Sequence, residues 1–108
     1  MTKYLLALLA IALLSVTANA ESEEYRVVLK NHIFSPAEIQ VPANTLAFLV
    51  IENKDASPEE FESKDLHREK IIAAGKTEKI KIGPLNVGSY HFMGAFNPDT
   101  AQGVVIVK

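Results

Sequence analysis

The C-terminal stretch from residue 88 to 108 constrains the fold more than any other part of the sequence. Residues 88–92 have the pattern of a strand, and the β-branched run at 103–107 suits a buried strand. A loop of ten residues, 93–102, joins them. A loop of this length in a small β-domain is usually functional. The stretch therefore predicts two neighbouring strands that present one functional loop.

The rest of the sequence continues this pattern of short strands and turns. Strands are predicted at residues 25–30, 39–41, 45–51, 71–72, 77–82, 88–92 and 103–107. The charged segment 59–70 is harder to place, and Ser63 is expected to cap a short helical turn that runs to about Arg68. The order of elements predicts an all-β antiparallel sandwich of seven or eight strands with one short helical turn.

Residues 1–20 have the parts of an export signal peptide. Lys3 supplies the positive charge, residues 5–14 the apolar centre, and Ala18-Asn19-Ala20 the cleavage site. A single domain is expected to occupy residues 21–108, in the periplasm. Because the apolar run is too short for a spanning helix, no membrane span is expected after cleavage.

Composition narrows the range of functions. The sequence has no cysteine, so it can form neither a disulfide nor a metal–thiolate bond. Residues 21–108 contain ten Lys and Arg against thirteen Asp and Glu, and this negative balance argues against nucleic acid or an anionic membrane as a partner. No GxSxG, HExxH or phosphate-loop motif is present. The chain is therefore expected not to be an enzyme, with metal oxidation as the one enzymatic activity left open.

Two motifs around the last loop resemble those of the cupredoxin superfamily. They are Tyr90-His91-Phe92 before the loop and Gly103-Val104-Val105-Ile106-Val107 after it. In blue-copper members of that superfamily the loop carries a Cys, a His and a Met ligand. The resemblance implies a cupredoxin-like Greek-key β-sandwich, and the missing cysteine excludes a type 1 blue-copper centre.

Further runs are similar to a cupredoxin-like subfamily that occurs with bacterial periplasmic iron-uptake systems and lacks the blue-copper ligands. They lie at residues 34–41, 49–53, 59–63, 69–72, 83–85 and 100–103. This resemblance implies copper or iron as the cofactor and iron uptake or electron transfer as the function. It also implies periplasmic or inner-membrane iron-transport components as partners.

The ligand positions of blue-copper proteins carry other residues in this chain. Counted back from Gly103, the Cys position falls near Met93, the His position at Phe96 or Asn97, and the Met position near Ala101. The remaining His ligand of cupredoxins follows the central strand, where this chain has Glu59 and Glu60. Red-copper relatives use a Glu at a comparable place, so the resemblance makes a carboxylate ligand reasonable.

A mixed metal site is the first hypothesis for these residues. Glu59 or Glu60, His91 and Met93 are expected to meet at one end of the sandwich, with His32 from the first turn completing a copper or iron site. The acidic run 59–62 is more typical of a solvated face. Met93 is equally typical of a core residue, and His32 of a turn residue. His91 alternates with Tyr90 and Phe92, so it faces solvent if those rings face inward.

Protein docking is the alternative hypothesis. Phe96 and Asn97 stand where a copper-binding His is expected, and an aromatic ring there makes the loop suited to contact with a protein. The chain would then be a metal-free module that docks on an iron-transport partner.

The export signal leads to a prediction about processing. Mass spectrometry of the exported protein should find Glu21 as the first residue, because cleavage is expected after Ala20. Recovery of the chain with Met1 intact in the periplasmic fraction would contradict this expectation.

Overall fold

Residues 22–108 form β-strands joined by turns and loops in the computed structural model, which describes this part of the chain. The strands are β1 Glu23–Lys30, β2 Ile33–Ser35, β3 Glu38–Val41, β4 Ala47–Asn53, β5 Glu59–Ser63, β6 Arg68–Ile72, β7 Thr77–Lys81, β8 Gly88–Gly94 and β9 Gln102–Val107. Among these residues no helix is long and apolar enough to cross a membrane. The predicted signal peptide at residues 1–20 lies outside the described residues, so its cleavage stays a prediction.

The strands form two sheets. One has four strands in the order β2-β1-β4-β7, and the other has five in the order β3-β9-β8-β5-β6. In the second sheet β8 lies between β9 and β5 and is antiparallel to both. Neighbouring strands often come from distant parts of the chain, as in the parallel pairs β1–β4 and β3–β9. The all-β Greek-key sandwich predicted from the sequence is confirmed, but the prediction that it is antiparallel is wrong, because each sheet contains one parallel pair.

The core lies between the two sheets. The ring of Phe92 packs edge-on against Phe34, with ring centroids 5.1 Å apart, and stacks on Phe61 at 5.2 Å. A side chain at Gly103 would overlap the Phe92 ring. The absence of a Cβ at the start of β9 therefore lets this ring occupy the centre of the core.

The predicted helical turn after Ser63 is wrong. Residues 64–67 form a tight turn between β5 and β6, in which Ser63 Oγ accepts a hydrogen bond from the Leu66 amide at 3.0 Å. Ser63 therefore caps no helix, and its hydroxyl instead stabilises the turn. The chain reverses at once, since His67 has a φ of 56° and β6 begins at Arg68. The pairing of β5 with β6 replaces helix hydrogen bonds here. The described residues form nine strands, not seven or eight, because β2 and β5 were not predicted.

A buried amide organises the connection between β4 and β5. Asn53 is fully buried, and its Nδ2 donates to the carbonyls of Ser57 at 2.9 Å and Ile72 at 3.0 Å. Its side-chain oxygen accepts a hydrogen bond from the Asp55 amide at 2.9 Å. One side chain thus joins the end of β4, the following loop and the end of β6.

These contacts predict that Asn53→Ala destabilises the domain by about 2–4 kcal/mol, because buried hydrogen-bonding groups lose their partner. Urea unfolding followed by circular dichroism measures the change. The matched control is Asn86→Ala, since Asn86 is exposed and should tolerate the same truncation within about 0.5 kcal/mol. Equal unfolding midpoints for the two variants would contradict this account of Asn53.

Candidate functional site

Strand alternation turns Glu59 into the interior of the sandwich. Along β5 the residues Glu59, Phe61 and Ser63 are buried, whereas Glu60 and Glu62 are half-buried on the outer face. Glu59 is only 1% exposed. Full burial of a carboxylate destabilises the folded state unless hydrogen-bond donors compensate it. The donors that contact Glu59 therefore explain how it can be buried.

The partners of Glu59 belong mainly to the last loop. Its Oε1 accepts hydrogen bonds from the amide of Phe96 at 2.8 Å and from that of Glu60 at 3.2 Å. Its Oε2 accepts one from Asn97 Nδ2 at 2.7 Å. None of the ion pairs found within residues 22–108 includes Glu59. We call this set of hydrogen bonds the Glu59 clamp, since it ties the start of β5 to the loop after β8.

The residues beside the clamp are small. A Cβ added to Gly94 would lie 2.6 Å from Glu59 Cδ and 2.8 Å from Ala101 Cβ. Gly94 is the last residue of β8 and faces inward, whereas Met93 is half-buried on the outer face. The Cys position expected near Met93 is therefore displaced by one residue, because strand alternation makes Gly94 the interior position.

The interior at this end of the sandwich does not fit a metal ion. Both oxygens of the Glu59 carboxylate accept hydrogen bonds from N–H groups, and Asn97 directs its Nδ2 towards it. Gly94 and Ala101 contribute no donor atom. This end of the interior is thus filled by a hydrogen-bonded carboxylate and amide.

The outer face of the five-stranded sheet carries the other predicted donors. His91 is exposed and Met93 half-buried, and the two lie on the same face of β8 because Phe92 between them is buried. The prediction that His91 faces solvent when Phe92 faces inward is thus confirmed. Glu62 is the partner of Met93 across the β5–β8 pair. An open groove is lined by Glu62, His91 and Met93 together with five neighbouring residues.

His32 lies in the tight turn between β1 and β2. Asn31 and His32 both have positive φ, and their amides donate to the Asp55 carboxylate at 2.6 and 2.9 Å. The His32 ring places Nδ1 3.4 Å from Asp55 Oδ2. These contacts give His32 a structural partner, which the sequence did not suggest.

The five predicted metal ligands do not form one cluster. Glu59 faces the interior, Glu60, His91 and Met93 are on the outer face, and His32 is in the turn beside Asp55. Within residues 22–108 no group of three or more His, Cys, Asp and Glu side chains is arranged to hold a metal ion.

Several site residues were not predicted from the sequence. Gly94 beside the clamp carries no polar group, so only the correct strand register reveals it. Ala101 is indicated by the sequence as the counterpart of the blue-copper Met, but its closeness to Gly94 comes from the structure. Glu62 belongs to an acidic run, and its alternation with Phe61 is the sequence signal that places it on the outer face. Of the two residues predicted for docking, Phe96 is 53% exposed, while Asn97 is half-buried and committed to Glu59.

Comparison with known proteins identifies relatives of this chain. The family model of the cupredoxin-like domain matches residues 3–107. An uncharacterised protein of Rickettsia prowazekii (strain Madrid E) is 45% identical over 85 residues, which cover 79% of this chain and 68% of the relative.

Two solved structures have a fold similar to that of this chain. The metal-binding domain of the Cu(I)-exporting P-type ATPase CopA of Streptococcus pneumoniae D39, determined with Cu(I), has a TM-score of 0.70 and 17% identity over 79% of this chain and 84% of that one. A copper-binding protein in the apo form, determined by NMR, has a TM-score of 0.69 and 24% identity over 79% and 86%. At these identities the similarity establishes the fold alone.

The family model spans almost the whole chain, and the Rickettsia relative is 45% identical over 85 residues. This chain belongs to the cupredoxin-like domain family.

Proposed function

We propose that this protein is a metal-handling accessory that binds copper or iron outside the cell's cytoplasm and passes it on. Family membership supports a metal-related or electron-transfer role, and two proteins of similar fold are described as binding copper or containing Cu(I). The observation that carries the proposal is the division of donor atoms between the two faces of one sheet. The interior position is closed by the Glu59 clamp, while His91 and Met93 remain accessible in a groove.

This division favours metal transfer over electron transfer. A permanent redox centre requires a rigid set of ligands shielded from water, as in the thiolate site of blue-copper proteins. The side chains of His91 and Met93 lie in an open groove, where incoming donors of another protein can replace them. A metal held in this way is suited to exchange.

The periplasm and an iron-transport partner complete the proposal. The export-signal pattern at residues 1–20 supports a location beyond the inner membrane. The resemblance of several sequence runs to the subfamily found with iron-uptake systems supports periplasmic or inner-membrane iron-transport components as partners. The metal delivered to such a system would be copper for an oxidation step, or iron itself.

A metal-free docking module is the second candidate, and the loop geometry favours it. The clamp fixes the main chain of Phe96 through its amide, and the ring is 53% exposed. A fixed and exposed aromatic ring loses little conformational entropy when it contacts a protein. In this case the hydrogen bonds of the clamp, and not a metal ion, would hold the loop in place. The loop would contact the iron-transport partner.

Metal titration of the purified exported protein distinguishes the two candidates. We expect one copper or iron ion per chain, measured by calorimetry and by elemental analysis after gel filtration. Addition of Cu(II) should give no intense absorption band at about 600 nm, because no thiolate is available for charge transfer. Failure to retain either metal would reject the metal-handling role in favour of the docking module.

The clamp predicts separate effects on stability and on metal binding. Glu59→Ala should destabilise the domain by about 2–3 kcal/mol, because the amides of Phe96 and Glu60 and the side chain of Asn97 lose their acceptor. Metal affinity should stay within about threefold of the parent, since a factor of that size is below the effect of losing a ligand. Urea unfolding and calorimetry on the same samples measure both quantities.

The control for this variant is Glu60→Ala on the adjacent outward position of β5. It should change stability by less than about 0.5 kcal/mol, as is usual for surface positions. A tenfold or greater loss of metal affinity in Glu59→Ala, with stability unchanged, would show that Glu59 is a ligand.

A further inference from the structure

The outer face of the five-stranded sheet brings a nitrogen, a sulfur and an oxygen donor to one groove. His91 and Met93 are two residues apart on β8, so their Cα atoms are separated by about 6.6 Å and their side chains project to the same side. Glu62 lies directly across from Met93 on β5, where cross-strand Cβ atoms are about 5 Å apart. The three side chains line the same groove.

We propose that His91, Met93 and Glu62 form a Cu(I)-binding site in this groove. The inference rests on the proposed metal-handling function and names its site and its metal. Thioether sulfur selects Cu(I), imidazole binds copper well, and a carboxylate can balance the positive charge. Hard ions such as ferric iron and calcium prefer oxygen ligands, whereas nitrogen and sulfur supply two of the three donors here, so the donor set favours copper over iron.

The backbone of His91 is fixed by the turn after β5. The pairing of β5 with β8 ends at Glu62 and Met93, and beyond it Ser63 Oγ donates to the His91 carbonyl. The His91 amide donates to Asp65 Oδ2 at 2.9 Å. One side chain at the end of β5 and one in the turn thus take the place of a strand neighbour and hold the backbone from which the imidazole projects.

The wall of the groove opposite Glu62 is also ordered. Gln102 is the partner of Met93 on β9, and its Nε2 donates to the Pro98 carbonyl at 2.6 Å. The core ring of Phe92 anchors β8 between His91 and Met93. The main chain beneath the groove is therefore held by hydrogen bonds and by the core, while the imidazole is exposed and accessible to a metal ion.

The charge around the groove favours a cation. The carboxylates of Glu62 and Asp65 and the ammonium of Lys64 line it, which leaves a net charge of −1 from these three side chains at neutral pH. Asp65 is committed to the His91 amide, so Glu62 is the carboxylate left to approach the metal.

Anaerobic titration with Cu(I) tests the site, with Ag(I) as a redox-inert substitute. A chromophoric Cu(I) chelator as competitor gives the affinity. We expect one Cu(I) per chain, and at least about a tenfold loss of affinity in His91→Ala and in Met93→Leu, since even changes around a ligand weaken metal binding by about 10–100-fold. Glu62→Gln should weaken binding less, because it removes a charge and retains an oxygen.

The matched control is His32→Asn. His32 is half-buried in the turn beside Asp55 and has a positive φ, a conformation that Asn tolerates. This variant should bind Cu(I) like the parent. Thermal unfolding of every variant shows whether the fold is retained, which is expected because His91 is exposed and Met93→Leu conserves volume.

A direct spectroscopic readout comes from the methionine content. The sequence has two methionines, Met1 and Met93, so the exported domain is expected to contain Met93 alone. With a ¹³C-labelled methionine methyl group, the single Met93 resonance should shift when Ag(I) or Cu(I) binds. An unmoved resonance in the presence of bound metal would overturn the site.

The results of these titrations distinguish a failure of the proposed Cu(I) site from a failure of the proposed metal-handling function. If the parent binds copper or iron and the variants at His91 and Met93 bind it equally well, the groove is not the site but the metal-handling role stands. If the parent binds no Cu(I), Cu(II) or iron, the metal-handling role itself fails. If only iron binds, and the Met93 resonance stays unmoved, the assignment of Cu(I) fails.

Discussion

The hydrogen bonds of the Glu59 carboxylate hold the functional end of this domain together. In a metal-containing cupredoxin the ion itself links the segment after the central strand with the last loop. Here the carboxylate of Glu59 makes that link by accepting from the amide of Phe96 and the side chain of Asn97. Three N–H donors compensate the buried carboxylate, so it is stabilised without a metal ion. The loop can therefore be ordered without a metal.

The same strand alternation that buries Glu59 exposes the other donors. On β8, Phe92 and Gly94 face the core, so His91 and Met93 must face the opposite way. On β5 the burial of Phe61 likewise directs Glu62 outward. Interior and exterior of this sheet consequently have different chemistry. The interior is closed around one acid and one amide, and the exterior offers separate soft and hard donors to solvent.

The β-sandwich could be predicted from the sequence, but the buried contacts of the candidate site could not. Strands such as β1 and β7 could be predicted because apolar and other residues alternate along them, and this period of two is enough to identify a strand. β5 was not, since its inward positions Glu59 and Ser63 are polar. Their partners lie 28 to 38 residues away in the sequence, at His91, Phe96 and Asn97. A pattern within β5 cannot reveal such partners, and the acidic run by itself is typical of a solvated face.

The absence of a side chain at Gly94 limits how this domain can evolve. A cysteine at that position would supply the thiolate that blue-copper proteins use, but its Cβ would collide with Glu59 Cδ and Ala101 Cβ. The carboxylate must change before the thiol can be accommodated, and its loss leaves the loop without its acceptor until a metal replaces it. Construction of a thiolate copper site in this domain thus passes through intermediates with a weakened loop. The order of the substitutions, and not their number alone, therefore decides how stable each intermediate is.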